Sequence, residues 1–271
     1  MAQTTSPIID THLHILQVSR LHYHWLDTQS PLHRDITLNE LADEWQLLNV
    51  RGGILIEASN TTAETDFLLA ICQSSAVPLG VIAWVDADSA DAPTLIRHYA
   101  QYSAFKGIRL NWFAPRPHSM ALQCTMQAIA EKHLVVEILL SASCLAHVCT
   151  FTKWYPQVTF VLNHCGGLDL AHSTPLEWVS ALKAFSALEH VALKLSAHYA
   201  LPTQRTFVDV VRQLFGTRRL LFGSNFPMHL PVSYRQVCDT WHHTIRDTEL
   251  QTAIFHHNPL RLYQLQLPTE A

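Results

Sequence analysis

Short runs of apolar and β-branched residues recur along this chain, separated by stretches whose apolar residues return every three to four positions. The runs are Pro7–Ile15, Gly53–Ala58, Leu79–Val85, Phe105–Leu110, Leu134–Leu140, Val158–Asn163, Val191–Ser196 and Leu220–Gly223, and each reads as a buried strand. The stretches between them carry helical faces, such as Leu38, Leu41, Ala42, Trp45 and Leu48, or Phe207, Val208, Val211 and Leu214. Thr37 with Glu40, Thr61 with Glu64, and Thr174 with Pro175 and Glu177 each have the spacing of an N-cap and its returning glutamate. Eight strands alternating with helices predict a parallel sheet. Over 271 residues they fit a closed (β/α)8 TIM barrel, typically ~250 residues long, better than an open doubly wound sheet. No linker interrupts the alternation, so residues 1–271 are expected to form one α/β barrel domain.

Composition narrows the function. Charged residues make up 15% of the chain against a usual ~25%, which argues against disorder and coiled coil. The net charge is −4, and the longest basic run is Arg218-Arg219, so no stripe for a nucleic-acid backbone is visible. No apolar stretch reaches the ~18 residues of a membrane span, and Met1–Pro7 lacks the pattern of a signal peptide, so a cytoplasmic protein with no membrane partner is expected. The six cysteines include no C-x-x-C pair and read as reduced thiols. The eight glycines form neither G-x-G-x-x-G nor a P-loop, which removes the nucleotide fingerprints. Histidine is abundant, at 18 residues, and directs attention to imidazole chemistry on a small-molecule substrate.

The first strand ends in Ile9-Asp10-Thr11-His12-Leu13-His14. Strand alternation predicts Asp10, His12 and His14 on one face, toward the barrel interior near its C-terminal end, where TIM-barrel chemistry sits. Two imidazoles at this spacing can hold a metal or polarise a carbonyl. The irregular segment from His22 to Asp35 would be the first βα loop, beside the mouth.

With IDTHLH at the first strand, FKGIRLNW at the fourth, FVLNHCGG at the sixth, ALKLSA at the seventh and RLLFGSNFP at the eighth, the chain resembles the amidohydrolase superfamily. The resemblance is to its amidohydrolase-related branch of TIM-barrel hydrolases and lactonases, including 2-pyrone-4,6-dicarboxylate and sugar lactonases. It extends to a closing helix at His257–Tyr263. It implies hydrolysis of a lactone or related carbonyl, with His12, His14 and His164 polarising the carbonyl. Arg109 and Arg116 match arginines that hold a substrate carboxylate in the pyrone lactonases. A guanidinium suits that task because it grips a carboxylate bidentately. Arg109 has an internal ion pair as its alternative, and Arg116 simple exposure.

Two departures from the family pattern bear on mechanism. The fifth strand reads Leu134-Val135-Val136-Glu137-Ile138-Leu139-Leu140-Ser141, without the histidine that metal-dependent members carry there. No metal is therefore expected; a zinc ion would have only His12, His14 and His164 as ligands. At the eighth strand the usual aspartate is replaced by Asn225, and an amide is no general base. Water activation would then fall to Glu57, His164 or His229, with Asn225 positioning the water. Glu57, ending an apolar strand, either lines the mouth with a raised pKa or pairs with a basic neighbour. Lys106 and Lys194 read as structural partners of acidic groups at the same barrel end, and Cys165 as packing. The pairs His242-His243 and His256-His257 lie away from the strand ends. A hydrolase of a lactone bearing carboxylate or hydroxyl groups leads. A metal-dependent decarboxylase and a catalytically silent binding barrel are the alternatives, and oligomeric state is unreadable.

Overall fold

A computed structural model describes residues 6–170, 172–196 and 204–268. The part of the N-terminal segment before Ser6, and Ala197 of the ALKLSA motif, lie outside them. Eight parallel strands form one sheet in sequential order: β1 (Ile8–Leu13), β2 (Val50–Ile56), β3 (Leu79–Ala83), β4 (Phe105–Trp112), β5 (Val135–Leu140), β6 (Thr159–Leu162), β7 (Val191–Leu195) and β8 (Leu220–Phe222). The principal crossover helices are α1 (Ala42–Leu47), α2 (Thr62–Ser74), α3 (Ala92–Tyr99), α4 (Met120–Glu131), α5 (Leu145–Lys153), α6 (Pro175–Ser186), α7 (Gln204–Phe215) and α8 (Tyr234–Thr244). The last strand meets the first: Leu13 bridges Phe226, Asn225 N donates to His12 O at 2.9 Å, and His14 N donates to Phe226 O at 2.7 Å. These contacts make the sheet a TIM barrel.

All eight expected runs are strands, with ends displaced by up to a few residues. The cap at Thr174 forms as read, its N–H donating to Glu177 at 2.6 Å. Thr61 also caps its helix, but Glu64 does not fold back onto it. Its Oε2 instead accepts from the backbone N–H groups of Ala58 and Ser59, both at 2.8 Å, tying α2 to the end of β2.

The interior is layered by strand alternation. Ile54, Ile56, Ile82, Val135, Val161, Ala192, Leu221 and Tyr263 form an apolar cluster inside the barrel. Two residues along the same strands come Glu137, Asn163 and Lys194, all fully buried. Burying these polar groups is tolerable because they bond to one another. Lys194 Nζ lies 2.7 Å from both Glu137 oxygens, Asn163 Nδ2 donates to Glu137 at 2.6 Å, and Tyr263 Oη donates to it at 2.5 Å. Around the barrel, the strands' outer faces and the helices bury a larger apolar core.

Candidate active site

The C-terminal strand ends bring three imidazoles together. His12 has its ring centroid 5.0 Å from His14 and 4.6 Å from His164, and His12 and His14 are buried. Glycine at 223 lets His12 approach β8, since a Cβ there would lie 2.5 Å from the His12 Cβ. His164 is carried by a turn in which residues 164 to 167 all have left-handed φ, between 47° and 73°. Glycines at 166 and 167 make that turn affordable, and at 167 a Cβ would sit 2.2 Å from Leu140 O.

Asp10 does not join them. A register shift between Asp10 and Leu13 breaks the strand's alternation. The Asp10 carboxylate instead accepts from His12 N at 3.0 Å and Ser224 N at 2.9 Å, clamping β1 to β8. Burial raises its pKa against the lowering effect of these bonds.

Backbone carbonyls orient two of the rings. His14 Nδ1 lies 3.0 Å from Ile56 O, and His164 Nδ1 lies 3.2 Å from Ser196 O. A carbonyl can only accept, so His14 carries its proton on Nδ1 and its basic lone pair on Nε2, whereas His164 Nδ1 also lies 2.9 Å from Ser196 Oγ, a hydroxyl that can donate or accept. Burial, reinforced for His12 by the charge of Lys194 and for His14 by that of Arg109, holds both pKa values well below the ordinary imidazole range. These two rings are therefore neutral at pH 7.

The other expected residues divide. Arg109, on β4, makes an ion pair: Nε donates to Glu57 Oε1 at 2.6 Å and Nη2 to Glu57 O at 2.8 Å, both side chains being buried. That contact gives Glu57 a basic neighbour, and Glu57 Oε2 is buried without a hydrogen bond. Arg116 is not simply exposed; it pairs with Asp88 and stacks over Trp112, 5.3 Å from the ring centroid. Asn225 is partly buried, with φ 61°, a conformation asparagine tolerates better than most residues. His229 lies with Phe226 and Tyr234, its Nδ1 donating to Val232 O at 2.7 Å. Cys165 is fully buried, as expected, although by the left-handed turn rather than strand alternation. Lys106 is not at this end of the barrel: it starts β4, and its ammonium donates to Gln264 O at 3.2 Å.

The first βα loop does reach the mouth, with Trp25 Nε1 donating to Ala58 O at 2.7 Å. Beside it lies Glu64, which the sequence marks only as a capping glutamate. Glu64 is fully buried, one oxygen has no hydrogen bond, and burial pushes its pKa up to about 7, helped by the charge of Glu57. Its signal in the sequence, a glutamate three residues after a threonine, is the same as that of an ordinary capping box.

The profile of the amidohydrolase family matches residues 9–265. The chain belongs to that family. This amidohydrolase is similar to an L-fucono-1,5-lactonase of Burkholderia ambifaria, 25% identical over 237 residues covering 81% of this chain and 80% of the relative. In fold it resembles an amidohydrolase from Burkholderia multivorans solved with bound zinc, with a TM-score of 0.83 at 22% identity over 96% of this chain and 99% of that one. A structure described as a probable 2-pyrone-4,6-dicarboxylic acid hydrolase from Acinetobacter baumannii, with citric acid bound, gives a TM-score of 0.78 at 19% identity over 95% and 99% of the two chains.

The zinc in one of these neighbours calls for a test of the residues present here. A zinc-binding histidine places an acceptor on its second ring nitrogen, as His14 and His164 do. His12 does not, because Lys194 Nζ lies 3.4 Å from its Nδ1. Among the described residues no three His, Cys, Asp or Glu side chains are arranged to hold a metal. The residues do not fit a three-histidine zinc site.

Proposed function

We propose that this amidohydrolase hydrolyses the ester bond of a lactone at the mouth of the barrel, and that it does so without a metal. The observation that carries this reading is the cluster of three imidazoles at the C-terminal strand ends, with His12 Nε2 buried and making no hydrogen bond. A buried polar atom left unsatisfied is costly, and a substrate oxygen would satisfy it. The similarity to an L-fucono-1,5-lactonase supports the same chemistry.

In this reading His12 donates to the lactone carbonyl oxygen, and water positioned by Asn225 attacks the carbonyl carbon. In the tautomer that donates from Nδ1 to Ser196 O, His164 takes the water's proton at Nε2 and returns it to the ring oxygen as the carbon–oxygen bond breaks, giving a hydroxy acid. His14 accepts a hydrogen bond from the water or from a substrate hydroxyl. Glu57 is held by Arg109 and serves to orient it, so the search for the base narrows to His164. His229 is occupied in holding its own loop.

The ion pairs bear on the substrate class. Arg109 and Arg116, the two candidates for anchoring a carboxylate, are each already paired with an acid of the chain. A dicarboxylate would have to compete with Glu57 and Asp88, whereas a polyhydroxylated lactone needs no unpaired cation. We therefore favour a neutral sugar-acid lactone, with Arg109 Nη1 and Arg116 donating to its hydroxyls. The six cysteines, none in a disulfide, accord with action in the cytoplasm. A metal-dependent decarboxylase would need the zinc site that these residues do not fit.

Proton release from aldono-1,4- and 1,5-lactones and from a pyrone dicarboxylate, with protein of known metal content, tests the proposal. Hydrolysis of aldonolactones by metal-free protein is expected, with the dicarboxylate poorer. Silence across the panel, with and without added zinc, would refute hydrolysis and leave a binding barrel.

A further inference from the structure

The polar layer beneath the imidazoles is not merely a satisfied core. Lys194 and Glu137 are both fully buried, and the ammonium has a bond direction for each of its three protons. One proton goes to Glu137, whose oxygens lie 2.7 Å away, and one to Thr11 O at 2.6 Å. The third direction meets His12 Nδ1 at 3.4 Å. Glu137 cannot swing away with its cation, since Asn163 and Tyr263 donate to it at 2.6 Å and 2.5 Å. A cation so placed faces a ring nitrogen that carries either a lone pair or a proton, and only the lone pair is attracted to it.

We propose that Lys194 is a positioning residue that holds His12 as its Nε2–H tautomer, so that His12 presents an N–H at Nε2 where His14 presents a lone pair. The functional use of that N–H, as donor to the lactone carbonyl, rests on the reading of the protein as a lactone hydrolase; the tautomer itself does not. His14 is anchored the opposite way, through Nδ1 to the Ile56 carbonyl, and presents a lone pair, while His164 Nδ1 lies against both Ser196 O and Ser196 Oγ. His12 and His14 are thereby polarised into a donor, which suits a developing oxyanion, and an acceptor, which suits a water or hydroxyl proton. The same tautomer explains why these residues do not fit zinc, because Nε2 of His12 has no lone pair to give while Lys194 occupies the other side.

The experiment is histidine-selective ¹⁵N NMR of the ligand-free protein at pH 7, with the His12 signals assigned by their loss in His12→Asn. The expected result is protonation of His12 at Nε2. Protonation at Nδ1, or at both nitrogens, would overturn the proposal. Lys194→Met alone would leave Glu137 charged and unpaired, so the second arm is the paired variant Lys194→Met/Glu137→Gln, which removes both charges and keeps Tyr263 its acceptor. In that variant the Nε2–H preference should weaken, and kcat on a lactone substrate should fall about a hundredfold with KM little changed, as for loss of an oxyanion donor. A paired variant that folds, keeps the Nε2–H tautomer and retains wild-type kcat would overturn the role of Lys194. If the wild-type tautomer is Nε2–H while every lactone goes unhydrolysed, the hydrolase reading fails and the assignment of Lys194 stands.

Discussion

Replacing Glu64 with glutamine should change how the stability of this protein depends on pH. The native carboxyl is fully buried, Oε2 accepts from Ala58 and Ser59 N–H, and Oε1 has no hydrogen bond. Burial pushes its pKa from 4.5 to about 7. The folded state therefore holds the proton more tightly than the unfolded chain, so the contribution is fully present below pH 4.5 and is lost as pH rises through about 7. The difference corresponds to about 3 kcal/mol at 1.36 kcal/mol for each pKa unit. Glutamine keeps an oxygen for the two backbone donors and cannot ionise. Urea denaturation from pH 5 to 8 should show little difference near pH 5, then Glu64→Gln gaining stability over wild type by up to about 3 kcal/mol at pH 8. Contributions of other titrating groups largely cancel in that difference. Parallel stability curves, or a gain at the acid end, would refute the reasoning.

Other perturbations test the site. Asn225→Asp should fold normally, because aspartate also tolerates φ 61°, yet lower kcat on a lactone about tenfold or more by placing a charge where an amide positions water; a rise in kcat would instead mark a decayed aspartate-dependent enzyme. Glu57→Gln and Arg109→Met singly should each cost about 3 to 5 kcal/mol in urea unfolding by stranding one charge, and the double variant should recover most of it; additive losses would argue against the pair. Gly223→Ala must displace His12, because the new Cβ would meet the His12 Cβ at 2.5 Å. It should cost about 1 to 3 kcal/mol in the same assay and reduce kcat on a lactone; unchanged stability and kcat would mean that the close packing is unnecessary.

The eightfold alternation, the strand-end position of His12 and His14 and the cap at Thr174 were legible in the sequence because they depend on local periodicity and short-range bonding. The buried character of Lys194 was legible too, since a lysine in an apolar strand requires an acidic partner. Its partner was not, because Glu137 lies on another strand and the sequence contains no measure of which strand ends converge. The same limit applies to Asp10 and Lys106. Alternation puts Asp10 with the histidines only in an unbroken strand, and the shift before Leu13 breaks it. Lys106 lies at the opposite end from Lys194 because it is near the start of its strand.

The sequence by itself determined the barrel, its strand order and the family, for these follow from repeated patterns and motifs that each span a few residues. Only the tertiary structure decided the electrostatic character of the site. It paired Arg109 with Glu57, set Arg116 against Asp88, gave Glu64 a buried carboxyl and put Lys194 beneath His12. Whether an ionisable side chain is a ligand for substrate, a partner for its neighbour or a source of field depends on separations below about 4 Å between residues far apart in the chain. Those distances exist only once the barrel has closed.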